Sequence, residues 1–201
     1  MRPLDELISL VSEFPGIGPR QARRIVQFLL TRNPSFIEKL ANLMREVKKS
    51  TVQCAECFRY TDAAVGGVCR ICADHDRDPK LLMVVEKDID IEGIESASTY
   101  RGRYFVLGGL MPMTQRKNAP ILRTKELMAR IEKNAVEEVI LALSTTPEGD
   151  YTAQELITTL RKPELPRALK VSILGRGLSV GAEIEYADAE TLRNALRNRH
   201  T

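Results

Sequence analysis

Hydrophobic residues recur at three- and four-residue spacing through the first fifty positions, which predicts three amphipathic helices. The first covers residues 4–13, and a turn at 14–19 separates it from the second, for which Pro19 suits the first helical turn. Ser35 and Glu38 have capping-box spacing at the start of the third helix. The side chains that this third helix is expected to bury are Phe36, Leu40, Leu43 and Val47.

After residue 80 the pattern changes to short apolar runs that alternate with helical segments. The runs expected to form buried strands are 81–85, 104–107, 139–143 and 171–174. Helical spacing lies around residues 127–131 and again after Thr152, which has capping-box spacing with Glu155. Strands that alternate with helices predict a largely parallel sheet and an α/β fold.

Four cysteines lie between these two patterns, in two CxxC pairs separated by eleven residues: Cys54 with Cys57, and Cys69 with Cys72. Each pair can offer two thiolates to one ion, which predicts a structural, tetrahedral Zn²⁺ site. Two disulfides or a redox-active CxxC are the alternatives. No apolar signal segment opens the chain, which indicates a reducing cytoplasm and argues against disulfides, and a redox motif needs only one CxxC.

Composition is that of a soluble globular protein, with 43% hydrophobic and 28% charged residues. No apolar run approaches the length that crosses a membrane, so we expect no membrane partner. The net charge of +3 is small, but residues 1–50 carry nine basic and five acidic side chains, a charge of +4. The helical N-terminal segment is therefore more basic than the rest of the chain, which sums to −1.

The turn between the first two helices reads PGIGPRQA and is typical of a helix-hairpin-helix. Its two glycines have no Cβ to keep backbone amides from a phosphate, and the following helix N-terminus favours an anion. Two of the arginines that follow lie one helical turn apart, a spacing suited to adjacent phosphates. An ordinary helical hairpin is the alternative. The candidate residues for sequence-independent DNA binding are Gly16, Gly18, Arg20, Arg23 and Arg24.

Acidic side chains follow two of the expected strands. The carboxyl ends of parallel strands meet at one edge of a sheet, where ligand sites form. Carboxylates that converge there would bind Mg²⁺, which prefers oxygen ligands, whereas solvated loop acids are the alternative. The candidate residues are Glu86 and Asp88 after the first strand, and Glu148 and Asp150 after the third.

In this order, and over essentially the whole chain, the segments resemble the RecR family of recombination mediators, and the acidic strand ends resemble a Toprim domain. Residues 175–186 resemble the family's closing motif. The resemblance implies a multidomain α/β protein with a short C-terminal strand-helix element. Its parts would be a helix-hairpin-helix domain (1–52), a four-cysteine zinc finger (53–76), a Toprim domain (77–170) and a C-terminal oligomerisation element (171–201).

The resemblance implies a non-catalytic DNA-binding protein of the bacterial cytoplasm and nucleoid. Such proteins act with RecO, and with RecF, to load the RecA recombinase onto gapped DNA coated with single-strand-binding protein. They form homodimers or ring-shaped homotetramers that encircle DNA. By the same resemblance, DNA binding belongs to Arg20 and Arg24, and zinc binding to the four cysteines. The acids at Glu86 and Glu148, supported by Asp88 and Asp150, form the Toprim site and a surface that contacts RecO.

Two segments depart from the family pattern, residues 110–118 and residues 144–147, and both lie near the expected partner surface. The alternative function is a Mg²⁺-dependent Toprim nuclease, in which a glutamate would act as general acid or base. A topoisomerase would need a nucleophilic tyrosine on a further large domain, and a primase a longer chain. A sequence-specific zinc DNA-binder would need a recognition helix, for which the loop between the cysteine pairs is too short and glycine-rich.

Overall fold

The structure is a computed structural model that describes residues 2–62, 66–114, 121–161, 169–178 and 180–199. Contacts divide the chain into two units, Met1–Thr51 and Val52–Thr201. Within the described residues, no helix has both the length and the apolar character needed to cross a membrane. Positions 115–118 of the first atypical segment lie outside the described residues.

Three helices make up the first unit: α1 (Pro3–Ser12), α2 (Pro19–Leu30) and α3 (Pro34–Ser50). Each begins at a proline, because the N–H that proline lacks would have no helical acceptor there. Helices α1 and α2 pack together through Val11, Ala22 and Val26. The three expected helices are thus present, with ends that differ by one or two residues.

The cap of α3 differs from the expected capping box. Asn33 is the N-cap, and its side chain accepts a hydrogen bond of 2.9 Å from the Phe36 amide. Ser35 lies inside the helix and donates its hydroxyl to the Asn33 side chain at 3.0 Å. The predicted Ser35–Glu38 box is therefore wrong, because Pro34 already occupies the first helical position.

The apolar face of α3 also differs from the prediction. None of the residues of α3 is buried, although the helix is 17 residues long. The side chains expected in a core are all about half exposed: Phe36, Leu40, Leu43 and Val47. Helix α3 therefore presents an exposed apolar stripe, although the Phe36 ring meets the Phe28 ring of α2 edge-on with centroids 6.4 Å apart.

The second unit begins with a short antiparallel ribbon of β1 (Val52–Gln53) and β2 (Tyr60–Thr61), followed by the one-turn helix α4 (Arg70–Ala73). A four-stranded sheet follows, in the order β4-β3-β5-β6, and all of its pairings are parallel. This confirms the predicted parallel α/β sheet. Its strands are β3 (Asp78–Val85), β4 (Gly102–Val106), β5 (Glu138–Ala142) and β6 (Lys170–Ile173).

The described residues after β3 include these helical segments: α5 (Asp88–Ser96), α6 (Thr124–Lys133), α7 (Pro147–Leu160), a short 3-10 helix (Ile184–Tyr186) and α8 (Ala189–Arg197). Helix α7 starts six residues before the position that the Thr152–Glu155 spacing predicts. Its N-cap is Thr146, whose hydroxyl accepts a hydrogen bond of 3.1 Å from the Gly149 amide. That second predicted box is wrong for the same reason as the first, a proline at the helix start.

Alternate residues of β3 point into two separate buried clusters. Leu82 and Val84 belong to a cluster with residues of α6 and α7. Met83 and Val85 belong to a cluster with Ile91 of α5 and the four cysteines. Because both faces of the strand are covered, its sequence is continuously apolar. The cysteine segment is therefore part of the core on one side of the sheet.

Candidate metal centre, nucleic-acid interface and acidic edge

The turn of the hairpin depends on its first glycine. Gly16 has a φ of +77°, in the left-handed region that a side chain disfavours. Gly18 is extended and stands at the N-cap of α2, with no side chain capping the helix. The first amides of α2 therefore face outward at the positive end of the helix, as in sites that accept anions.

Arginines cover the first turns of α2. Arg20, Arg23 and Arg24 are all exposed, and no ion pair among the described residues engages them. Arg20 and Arg24 lie one turn apart on the same ridge, as the spacing predicts. The turn and the first helical turns thus combine backbone donors with free guanidinium groups.

The four cysteines come together into one buried cluster. Their sulfur atoms all lie within 4.8 Å of one another, and the Cys57 and Cys69 sulfurs are 3.6 Å apart. A tetrahedral ion with bonds of about 2.3 Å to sulfur would hold its ligands about 3.8 Å apart. The four predicted cysteines thus form one cluster, which is compatible with a structural metal such as zinc.

Backbone donors organise the sulfur of Cys54. The amides of Glu56 and Cys69 donate hydrogen bonds to it at 3.4 Å and 3.3 Å. The contact with the Cys57 thiol lowers the pKa of Cys54 and raises the pKa of Cys57. The two backbone amides favour the thiolate form of Cys54, which is the form that binds a metal.

The cysteine segment docks on the outer strand of the sheet. The Val106 amide of β4 donates to the Cys57 carbonyl at 2.8 Å, and the Phe58 ring packs edge-on against Phe105 at 5.4 Å. The ribbon also holds Asp88, which accepts a 2.6 Å hydrogen bond from the Tyr60 amide. Since Arg59 ion-pairs with the same carboxylate at 3.3 Å, Asp88 faces the cysteine segment.

Glu86 lies directly after β3 at the carboxyl edge of the sheet and is buried. The Ser144 hydroxyl donates to one carboxylate oxygen, and the Lys87 ammonium pairs with the other at 2.8 Å. Burial works to raise the pKa of Glu86, but the hydrogen bonds from Lys87 and Ser144 outweigh it and lower the pKa. Ser144 belongs to the second atypical segment, so that segment positions Glu86.

The remaining acids lie in the first turns of α7. Asp150 forms an ion pair with Arg176, and Glu148 lies two residues before it in the same helix. In the part of the chain that the structure describes, only the cysteines gather three or more metal-binding side chains at ligand distance. Of the four predicted acids, Glu86, Asp88 and Asp150 are engaged with serine, cationic or backbone partners.

One buried charged residue next to the cysteine segment, Arg130, was not predicted from the sequence. Arg130 is buried on α6, and its guanidinium lies against the carboxylate of Glu56. Glu56 stands between the first two cysteines and also pairs with Lys133 at 2.8 Å. The sequence feature that could have predicted this buried arginine is its position on the apolar face of a helix, three residues from Leu127 and next to Ile131.

Comparison with known proteins identifies the segments. The family described as "RecR, helix-hairpin-helix" matches residues 4–48, the Toprim domain matches residues 80–174, and "RecR, C-terminal" matches residues 177–200. The chain is 38% identical to the recombination protein RecR of Nocardioides sp. over 198 residues, which are 98% of this chain and 96% of the relative.

Two further relatives are similar over the same length. The recombination protein RecR of Herpetosiphon aurantiacus is 37% identical over 98% of this chain and 93% of its own. That of Thermobifida fusca is 39% identical over 98% of this chain and 95% of its own. These matches confirm the resemblance predicted from the sequence. The chain belongs to the RecR family of recombination proteins.

Proposed function

We propose that this protein is a non-catalytic recombination mediator that binds DNA without sequence preference through the hairpin of its first unit. The observation that carries this proposal is a set of three exposed arginines behind a glycine turn, which form no ion pair with the residues that the structure describes: Arg20, Arg23 and Arg24. Guanidinium groups and helix N-terminal amides contact phosphates and do not read bases, so affinity falls with salt and varies little with sequence.

The metal of the four-cysteine centre is zinc, and its role is structural. Four thiolates close the coordination shell, leaving no open position for a substrate. The backbone and ring contacts between the cysteine segment and β4 support this role, since the ion holds that segment against the sheet.

The protein acts as a homodimer or ring-shaped homotetramer. The exposed apolar stripe of α3 supports a partner surface, because a soluble chain rarely leaves such a stripe uncovered. A second copy of the chain brings an identical stripe, which a two-fold axis can set against the first. Several hairpins on one ring would raise the effective concentration of each for DNA.

RecO, with RecF, is the partner that directs the protein to load RecA onto gapped DNA in the bacterial cytoplasm and nucleoid. The acidic edge is the surface proposed for RecO. Pairing of Glu86 with Ser144 and Lys87 supports a binding role over a catalytic one, since these contacts occupy the oxygens that Mg²⁺ would need.

The test is DNA binding by fluorescence anisotropy, on several unrelated sequences and over a salt series. Replacing Arg20 and Arg24 with alanine is expected to weaken binding by about tenfold or more and to flatten the salt dependence, because each lost phosphate contact reduces the slope by about 0.9.

The matched control removes the same charge at the same spacing elsewhere. Arg193 and Arg197 are one turn apart and exposed on α8, and their replacement should leave affinity nearly unchanged in protein whose solution mass by light scattering matches the wild type. Equal losses in the two double variants, or none in the first, would contradict the hairpin assignment. Mg²⁺-dependent cleavage of DNA that disappears in Glu86→Gln would show a nuclease instead.

A further inference from the structure

Phe58 joins the cysteine segment (residues 54–72) to the core of the second unit. It follows directly after Cys57 and has a φ of +63°, in the left-handed region that a side chain disfavours. Its half-buried ring packs against both buried clusters of the sheet and meets the Phe105 ring edge-on at 5.4 Å. A left-handed backbone at this position persists because packing holds the side chain in place.

Arg123 lies over the Phe58 ring. Its guanidinium carbon is 5.2 Å from the ring centroid, and its Nη1 atom donates a 3.2 Å hydrogen bond to the Val106 carbonyl at the end of β4. The Arg123 amide donates to the Leu107 carbonyl at 3.1 Å. Arg123 forms no ion pair with the described residues. The ring and the end of β4 therefore hold its guanidinium in place.

The turn after β4 leads from this guanidinium to the acidic edge, the carboxyl edge of the sheet where Glu86 lies. Gly108 has a φ of +100°, and a Cβ at this position would lie 2.5 Å from the Arg123 Nη1 atom. The Gly108 amide donates to the Glu86 carbonyl at 3.1 Å, and the Leu107 amide donates to the Val85 carbonyl at 2.9 Å. The turn thus holds the backbone of Glu86 on one side and packs against Arg123 on the other.

We propose that Arg123 is a positioning residue of the acidic edge, which couples the backbone of Glu86 to the folded cysteine segment through Phe58. If the cysteine segment unfolds, the ring leaves and only the Val106 carbonyl holds the guanidinium. This inference deepens the proposed partner role of the acidic edge. A partner that binds at this edge also stabilises the cysteine segment, and the reverse holds by linkage.

The test measures hydrogen exchange of the Gly108 amide by NMR in the full-length protein. Arg123→Met removes the cation and its hydrogen bond and should speed exchange at Gly108 by about tenfold. Arg123→Lys keeps a cation over the ring and should recover part of that loss. The reference amide is that of Lys170, which donates to the Glu137 carbonyl at 2.9 Å at the opposite edge of the sheet and should keep its wild-type rate.

A double-mutant cycle separates this coupling from simple packing. Phe58→Leu keeps an apolar side chain but removes the ring face, and should speed exchange at Gly108 by about threefold. Because the two side chains act on each other, the double variant should exchange at nearly the rate of Arg123→Met alone. Arg32→Met is the matched control, since the Arg32 guanidinium carbon lies 4.0 Å from the Phe28 ring centroid in the first unit. It should leave exchange at Gly108 unchanged.

Three results would overturn the inference. The first is a Gly108 rate in Arg123→Met that stays at the wild-type value or rises only together with the Lys170 rate. The second is an Arg123→Lys variant that exchanges as fast as Arg123→Met. The third is an unchanged Gly108 rate in Phe58→Leu, which applies even where Arg123→Met does not fold.

Failure of this inference is distinguishable from failure of the proposed function. The exchange of the Gly108 amide is measured without DNA or a protein partner, so a negative result would leave the proposed binding roles standing. An acidic edge that binds no partner would leave the link from Phe58 through Arg123 to Glu86 intact.

Discussion

Gly149 shows how tightly single residues are constrained at the acidic edge. A Cβ at this position would lie 1.9 Å from the Ser144 carbonyl oxygen, far inside any real contact. The Gly149 amide also donates to the Thr146 hydroxyl, and the Ser144 hydroxyl donates to Glu86. The close approach of α7 to the loop after β5 therefore sets the position of the buried carboxylate.

Gly149→Ala is expected to destabilise the protein by about 2 kcal/mol or more, because the backbone of the loop must move away from the new methyl group. Gly93→Ala is the matched control, since that helical glycine has open space around it. The control should stabilise by about 0.5–1 kcal/mol through helix propensity. Urea unfolding measures the free energy of unfolding of both variants. Equal changes in the two variants would contradict the close approach of Gly149 to the Ser144 carbonyl.

Glu95 makes stability depend on pH. Its carboxylate accepts from Arg77 at 2.5 and 3.0 Å and from the Tyr104 hydroxyl at 2.6 Å. Burial works to raise the pKa of Glu95, but the hydrogen bonds from Arg77 and Tyr104 outweigh it and lower the pKa. The resulting stabilisation is present above the unfolded-state pKa of about 4.3 and is lost as pH falls through the lower folded-state pKa.

Glu95→Gln should therefore cost about 1–3 kcal/mol at pH 7 and less at acidic pH, so that its stability varies less with pH than that of the wild type. Urea unfolding at a series of pH values from 7 to below 4 measures this difference. Glu92→Gln, an exposed position on the same helix, should follow the wild-type curve. A constant difference between Glu95→Gln and wild type at all pH values would refute the ion-pair account.

Helices begin at prolines more consistently than at the predicted capping boxes. Both wrong capping boxes, at Ser35 and Thr152, had correct spacing but lay inside helices that start at Pro34 and Pro147. Periodicity predicted α1, α2, α3, α6, α7 and the four strands of the parallel sheet, but not α5 or the β1–β2 ribbon. It could not predict that α3 leaves its stripe uncovered, since burial depends on what lies opposite.

Replacing Leu43 with lysine should weaken self-association, because it puts a charge in the middle of the α3 stripe. Asn42→Lys adds the same charge at the neighbouring position off the stripe and should leave the solution mass unchanged. Light scattering over a range of concentrations measures both. Wild-type protein that is monomeric throughout, or a Leu43→Lys variant that assembles normally, would contradict the partner surface.

At the scale of the whole molecule, the clustering of the four cysteines could be predicted from the sequence, whereas the contacts around them could not. The spacing of the two CxxC pairs is enough to predict that all four cysteines form one metal-binding site. The partners of Asp88 could not be foreseen, because Arg59 and Tyr60 lie 28 or more residues away and reach it only after the ribbon folds against the sheet. The predicted acids follow the expected strands, but Glu86 also accepts from Ser144 and Asp150 pairs with Arg176, partners that lie far away in the sequence.

Metal removal should affect the two units differently. A chelator is expected to release the cysteine segment and to destabilise the second unit by several kcal/mol, because metal binding energy stabilises the folded segment. The helices of the first unit contain no metal ligand and should persist. Hydrogen exchange provides the measurement: the Tyr60 and Val106 amides should lose protection while that of Val26 is unchanged. Uniform retention of protection would contradict a structural metal.

The proposed oligomeric ring, which would hold DNA without reading its sequence, is tested most directly by DNA topology. The protein is bound to a nicked circle and to the same DNA cut open, and both are then challenged with high salt and excess competitor. An encircling ring should stay on the circle and leave the linear DNA through its free ends, and blocking those ends should restore retention. Equal rates of loss from the circle and the open linear DNA would contradict the ring.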